Sequence, residues 1–164
     1  MKWFRWGLVS LLTFAAAASA AQDCAETEGP VAAVNSYLVA MQEHRFKDAF
    51  AFVTETMTDG RAQDDWAGMQ KLFYQGGEVN IFGIDIRTPQ VVGDDAACKQ
   101  KAVVPNVLKS RDKFNNQGTT EFEIYTVIKD GDIWKVDMQE TLFDQPDVDK
   151  WFPGEKLPEF HDAY

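Results

Sequence analysis

Histidine and cysteine are both scarce in this sequence, because each occurs only twice among 164 residues. Neither His44 nor His161 belongs to a group with the spacing of a zinc site or of a Ser-His-Asp triad. The cysteines do not form a Cys-x-x-Cys pair, and no glycine-rich phosphate loop is present. The sequence therefore predicts no metal, no cofactor and no nucleophilic triad.

Positive charge is also in deficit. The chain has 16 Lys and Arg against 26 Asp and Glu, a formal net charge of −10, and no basic stripe. Nucleic-acid phosphates and anionic lipid head groups repel such a chain. We therefore expect no nucleic-acid partner, and no membrane partner for the mature protein.

Long apolar runs are missing, and the longest lies at the N-terminus. It follows Lys2 and Arg5, ends at Ala17, and is too short to cross a bilayer. Ala-Ser-Ala at 18–20 is typical of a cleavage site. Residues 1–20 are thus predicted to be a secretory signal peptide, so the mature protein is expected in the periplasm or outside the cell.

The two cysteines, Cys24 and Cys98, are predicted to form a disulfide, because an exported protein meets oxidising conditions. The bridge would tie the N-terminal lead-in to a strand in the middle of the chain. Closing the loop between residues 24 and 98 stabilises a fold by roughly 4 kcal/mol on the chain-entropy model.

After the leader, the spacing of apolar residues indicates helices first and strands afterwards. The helical segments are residues 30–43, 46–53 and 62–77. The strand segments are residues 78–88, 96–111, 119–129 and 132–143. A break or bulge is expected at Pro105, and Asp130-Gly131 is a hairpin turn.

This order predicts one α+β domain over residues 21–143. Three N-terminal helices would pack on a strongly curved, four-stranded, mainly antiparallel sheet. The remaining residues, 144–164, form a proline-rich, acidic tail that is expected to pack on or near the domain.

Three features together resemble the nuclear-transport-factor-two-like superfamily of α+β cones. They are the start VAAVNSYLVAMQEHRFKDAFAFV, the Asp-Gly before a third helix that contains Trp, and the closing hairpin IKDGDIWKVD. The resemblance covers residues 29–143 and implies the cone fold. The superfamily includes ketosteroid isomerases, dehydratases, polyketide cyclases and non-catalytic binding domains, so the resemblance implies no single activity.

Alternation along each strand predicts which side chains face the interior of the cone. The inward set is Phe82, Ile84 and Ile86, then Phe122, Ile124, Thr126 and Ile128, then Trp134, Val136 and Met138. The outward set is Glu123, Tyr125, Lys135 and Asp137, a mixed-charge face that could form a homodimer. Glu140 is the one acid predicted to face inward on the last strand.

Two interpretations of the inward residues remain open, a packed core and a pocket for an apolar small molecule. The residues that would line such a pocket are Tyr37, Trp66, Phe73, Phe82, Asn106, Trp134 and Met138. We expect Trp134 to be a core residue, because aromatic residues at strand spacing usually serve packing.

Three functions follow from these interpretations. The first is an exported small-molecule-binding or assembly domain without demonstrated catalysis. The second is a cavity enzyme of the isomerase or dehydratase type with Glu140 as base, although the sequence offers no convincing donor to oppose it. The third is an acidic inhibitor or immunity-like protein. We predict the first.

Overall fold

A computed structural model of the protein describes residues 21–95 and 97–158. The predicted signal peptide and residues 159–164 lie outside the described residues. The helices are α1 (Glu28–Gln42), α2 (Phe46–Ala49), a 3-10 turn (Phe50–Phe52), α3 (Glu55–Thr58), α4 (Gln63–Gly77) and α5 (Gln145–Trp151). The strands are β1 (Asn80–Ile86), β2 (Lys101–Arg111), β3 (Thr119–Asp130) and β4 (Ile133–Leu142). The predicted α+β class is confirmed.

The short helices α3 and α5 depend on side-chain caps and on packing, because isolated helices of this length are unstable in water. α3 begins after Thr54, whose hydroxyl accepts a hydrogen bond from the backbone N–H of Met57 at 3.3 Å. α5 begins after Asp144, whose carboxylate accepts one from the N–H of Asp147 at 2.9 Å. The sequence pattern predicted neither helix, because each offers too few residues to show a period.

The four strands form an open antiparallel sheet in the order β1-β2-β3-β4. The predicted break at Pro105 is wrong, since β2 runs through it with Pro105 opposite Ile124. Proline lacks the N–H that a central strand needs. On the side of β2 that faces β1, Pro105 lies opposite Arg87, the residue just past the end of β1. There the carbonyl of Pro105 accepts a hydrogen bond from the Arg87 N–H at 2.8 Å. The missing donor therefore breaks no pairing with β1.

Both faces of the sheet are covered. On the inner face, which we define as the side under α1–α4, a large core joins the sheet to the helices. On the outer face, Val148 of α5 and Phe152, the residue after α5, pack on the sheet in a second cluster. The sheet residues of that cluster are Val103, Val107, Phe122, Ile124 and Leu142.

The predicted faces of β3 are reversed. Tyr125 and Val127 are fully buried in the inner core. Phe122 and Ile124 lie in the outer cluster instead. The prediction failed because β3 carries apolar residues on both faces, and it took the outer set for the inner one.

Two β-bulges account for the other reversals. In β1, Phe82 is the extra residue between Ile81 and Gly83, so Ile81 enters the core while Phe82 is 52% exposed. In β4, Asp137 is the extra residue between Val136 and Met138. A one-residue insertion turns every later side chain to the opposite face.

The bulge at Asp137 is held by the helical layer. Thr54 donates its hydroxyl to the Asp137 carboxylate at 2.7 Å, and its backbone N–H bonds to the carbonyl of Val136 at 2.9 Å. Asp137, predicted to point outward, therefore joins β4 to the start of α3. Met138 and Glu140, which follow it, move to the outer face.

The predicted disulfide between Cys24 and Cys98 is confirmed, with a Cα–Cα distance of 5.6 Å. Cys98 lies in the loop before β2, however, and not in a strand as predicted. The lead-in before α1 is also hydrogen-bonded, because Cys24 N–H donates to the carbonyl of Pro89 at 2.8 Å. The disulfide is compatible with a protein outside the cytoplasm. Among the described residues, no helix combines the length and the apolar character that membrane crossing requires.

Candidate functional site

A buried polar cluster lies on the inner face where β2, β3 and β4 run side by side. Glu123 and Tyr125 project from β3, Asn106 from β2 and Gln139 from β4. The Glu123 carboxylate accepts hydrogen bonds from Tyr125 Oη at 2.6 Å, Gln139 Nε2 at 2.7 Å and Asn106 Nδ2 at 3.3 Å. The strand register brings these four side chains together, because Glu123 pairs with Asn106 of β2 and Tyr125 pairs with Gln139 of β4.

Burial dominates the electrostatics of this cluster. Glu123 is only 2% exposed, and among the described residues no Lys, Arg or His lies within ion-pair distance of it. Desolvation therefore raises the pKa of the Glu123 carboxyl, although the hydrogen bonds from Tyr125, Asn106 and Gln139 oppose the rise. The buried pair of carboxyl and phenol can hold a proton, which is the chemistry of a general acid or base.

Two more phenols approach from the helical layer. Tyr37 of α1 meets the Tyr125 ring edge-on, with centroids 6.2 Å apart. Burial raises the pKa of Tyr37 and of Tyr125, and it raises the pKa of Tyr74 in α4 to about 12. Each phenol therefore stays protonated at neutral pH and remains a hydrogen-bond donor.

Three of the four members of the cluster are closed to solvent in this structure. Tyr125 and Asn106 are fully buried. Five pockets formed by the described residues have none of Asn106, Glu123 or Tyr125 in their walls. Gln139 is exposed, so a single amide side chain separates the Glu123 carboxylate from the surface on that side.

Sequence reasoning selected Asn106 but assigned Glu123 and Tyr125 to the outer face. The signal that could have found them is the tail, where Val148, Trp151 and Phe152 indicate that a second face of the sheet is covered. With both faces covered, the alternation in β3 no longer defines the interior. The homodimer predicted for the outer face remains a prediction, but two of its four residues lie in the interior.

The structure does not bring the predicted pocket residues together. Tyr37 and Trp66 belong to the inner core, and Asn106 belongs to the polar cluster. Trp134 is half-buried beside the core, with its indole against Gly29. The exposed members are Phe73 at 77%, Phe82 at 52% and Met138 at 46%.

Glu140, the candidate base, faces away from the interior. It pairs with Ile124 on the outer face and is exposed. There it lines a shallow groove that also contains Lys150 and Trp151 of α5. The bulge at Asp137 is the physical reason, because without it Glu140 would point inward.

A separate apolar groove opens between the end of α4 and the loop that joins β2 to β3. We call it the α4 groove, and its volume is about 510 Å³. Its walls are Met69, Leu72, Phe73, Gly76, Gly77, Val79, Asp112, Lys113 and Phe114. Three apolar side chains of this lining are unusually exposed, Leu72 at 75%, Phe73 at 77% and Phe114 at 86%.

The loop wall of the groove is fastened to the C-terminal end of α4. Lys113 donates its backbone N–H to the carbonyl of Gly77 at 2.9 Å and its ammonium to the carbonyl of Gly76. The Asp112 carboxylate accepts from the N–H groups of Phe114 and Asn115 at 2.7 and 2.8 Å. These bonds fix Phe114 opposite the α4 side chains.

The described part of the chain contains no group of three or more His, Cys, Asp or Glu side chains that could hold a metal ion. No protein-family model matches the sequence, and no curated protein matches it.

Solved structures do match the fold. A ketosteroid isomerase-like protein from Erwinia carotovora atroseptica SCRI1043 is 20% identical with a TM-score of 0.50, over 71% of this chain and 95% of that one. Bd1075 of Bdellovibrio bacteriovorus is 16% identical with a TM-score of 0.49, over 71% of this chain and 40% of that one. A domain of unknown function with a cystatin-like fold from Nostoc punctiforme PCC 73102 is 14% identical with a TM-score of 0.49, over 67% of this chain and 72% of that one.

The chain thus spans less than half of the Bdellovibrio protein. At these identities the similarity to the Erwinia protein concerns the fold alone, and it agrees with a cone-like α+β architecture. The similarity gives no function for this chain, because one fold hosts many functions.

Proposed function

We propose that the protein is an extracytoplasmic binding domain, without catalysis, that takes an apolar small molecule in the α4 groove. The observation that carries the proposal is the exposure of Leu72, Phe73 and Phe114 around one concave space of about 510 Å³. Ligand pockets commonly have volumes of roughly 300–1,000 Å³ and largely apolar walls. Clustered apolar side chains on a soluble domain mark such sites, because exposing them to water is costly.

The interior cluster supports this proposal less well. Glu123 is already bonded to three donors, and the inner face around it is filled by the helical core. A ligand would have to displace Gln139 and enter between packed side chains. The groove needs no such rearrangement.

The test is titration of the protein with Nile red, a neutral apolar dye whose fluorescence increases on binding. Phe73→Ala and Phe114→Ala should each weaken dye binding roughly tenfold, since each removes a large apolar contact. Phe143→Ala is the matched control, because Phe143 is 85% exposed and does not line the groove. If the control weakens binding as much as the groove variants do, the dye binds elsewhere and the proposal fails.

A cavity enzyme is the second candidate, and the observation that favours it is the buried contact of 2.6 Å between Glu123 and Tyr125. The base would then be Glu123, because Glu140 faces away from the interior. The test is turnover of small ketones and β-hydroxy acids by the wild type, Glu123→Gln and Glu140→Gln. Turnover that is lost only in Glu123→Gln would favour the enzyme over the binding domain.

A further inference from the structure

We propose that the ligand of the α4 groove is a free amphiphile with one hydrocarbon chain and an anionic head group, of the fatty-acid class. This inference rests on the proposed function, because it names the chemistry that the same groove would take. Two observations carry it, the lack of available polar groups within the groove and the position of a cation at its edge.

Apart from the Lys113 ammonium, most polar groups of the groove lining already have partners within the protein. The carbonyls of Gly76 and Gly77 accept hydrogen bonds from Lys113, and the Asp112 carboxylate accepts two backbone N–H groups. The other walls are the side chains of Met69, Leu72, Phe73, Val79 and Phe114. A polar ligand group placed among them would lose its hydrogen bonds to water without replacement. The part of the ligand inside the groove is therefore hydrocarbon.

The cation is Lys113, an exposed residue of the lining. Its ammonium lies 5.0 Å from the centroid of the Phe114 ring. An ammonium has three N–H donors, and one is used by the carbonyl of Gly76. No carboxylate among the described residues lies within ion-pair distance of Lys113. Its free donors suit a carboxylate head group, since hydrogen bonds between charged partners are the strong ones.

Asp112 is the other charged residue of the lining. It favours a cationic head group less than Lys113 favours an anionic one. Its Oδ1 atom accepts hydrogen bonds from two backbone N–H groups, which hold the carboxylate against the loop. An anionic bilayer is also the poorer occupant, because the whole chain carries a net charge of −10 and is repelled by such a surface. A single free amphiphile brings one negative charge to Lys113 without that wider repulsion.

The experiment compares laurate with dodecanol by isothermal titration calorimetry, both as monomers below their aggregation limits. The two probes share the hydrocarbon chain and differ in the head group. Wild type should bind laurate more tightly. Lys113→Gln should weaken laurate binding roughly tenfold and leave dodecanol binding unchanged. Lys113→Arg should retain laurate binding. Lys109→Gln is the matched control, because Lys109 is exposed on the same hairpin but does not line the groove.

The outcomes separate this inference from the proposed function. If laurate and dodecanol bind equally and Lys113→Gln changes neither, the anionic class is wrong while the apolar site stands. If neither probe binds and Phe73→Ala leaves Nile red binding unchanged, both proposals fail. Binding to phosphatidylglycerol vesicles without binding to monomeric laurate would overturn the choice of a free amphiphile.

Discussion

At the scale of single residues, Glu123 has an environment in which its charge is costly. Its folded-state pKa is raised by burial, whereas glutamate in an unfolded chain has a pKa of about 4.3. The folded state therefore binds this proton more tightly than the unfolded state. The resulting stability is fully present below the unfolded pKa and is lost as the pH rises through the folded pKa.

Glu123→Gln tests this linkage, because glutamine keeps a polar amide at the site and cannot ionise. The difference in unfolding free energy between variant and wild type should move in favour of the variant as the pH rises from 4 to 8. The measurement is urea unfolding at a series of pH values. Glu140→Gln, at an exposed position of the same sheet, is the control for removing one negative charge. A difference for Glu123→Gln that stays constant across this pH range would contradict a buried Glu123 carboxyl with a raised pKa.

Gly29 and Trp134 form a second contact that a single residue controls. A Cβ at Gly29 would lie 2.4 Å from Cδ1 of the Trp134 ring, too close for any real contact. Gly29→Ala should therefore destabilise the wild type by about 1–3 kcal/mol, as overpacking does.

The same substitution should have the opposite sign in a Trp134→Ala background. There the clash is gone, and alanine is favoured over glycine within a helix by up to about 1 kcal/mol. Urea unfolding of the four proteins gives the coupling. If Gly29→Ala destabilised both backgrounds equally, the cost would not come from a clash with the Trp134 ring.

At the scale of elements, the two bulges set the limit of what could be predicted from the sequence. The hairpin at Asp130-Gly131 and the positions of the four strands follow from turn chemistry and alternation. Nothing in the residues around Phe82 or Asp137 signals an extra residue, because a bulge is fixed by partners far along the chain, such as Thr54. The faces of Phe82, Met138 and Glu140 could therefore not be predicted. Glu123 and Tyr125 were misplaced for a different reason, because β3 carries apolar residues on both faces.

α5 is the element whose role is most directly testable. Phe152 is 3% exposed and packs edge-on against Phe122, with ring centroids 4.9 Å apart. Phe152→Ala should destabilise the fold by about 3–5 kcal/mol, as large core truncations do. Phe143→Ala, at an exposed position, should stay within about 0.5 kcal/mol of wild type. An effect of Phe152→Ala below about 1 kcal/mol in urea unfolding would mean that the contact between Phe152 and Phe122 contributes little to the fold.

At the scale of the whole molecule, the α+β class and the antiparallel meander were predictable because they depend on the order of periods along the chain. The α4 groove was not, although Phe73 was among the predicted ligand residues. It forms from a helix end and a hairpin loop that are joined by two hydrogen bonds from Lys113, one from its backbone N–H and one from its ammonium. Sequence patterns give no measure of such distances.

The disulfide joins the lead-in before α1 to the loop between β1 and β2. Its removal should lower the stability of the whole fold. Cys24 and Cys98 are 74 residues apart, so the double variant Cys24→Ala, Cys98→Ala should lose roughly 4 kcal/mol of unfolding free energy. The measurement is urea unfolding of the variant beside the oxidised wild type. A loss below about 1 kcal/mol would show that the lead-in contributes little once it is hydrogen-bonded.

The same bridge has a consequence for the order in which the chain is made. All of α1–α4 and β1 lie between Cys24 and Cys98, whereas β2, β3 and β4 follow Cys98. Synthesis runs from the N-terminus, so both cysteines exist before the larger part of the sheet has been made. Wherever oxidising conditions meet the growing chain, the helical half can become a covalent ring first, and the last three strands are then added to an element that is already closed.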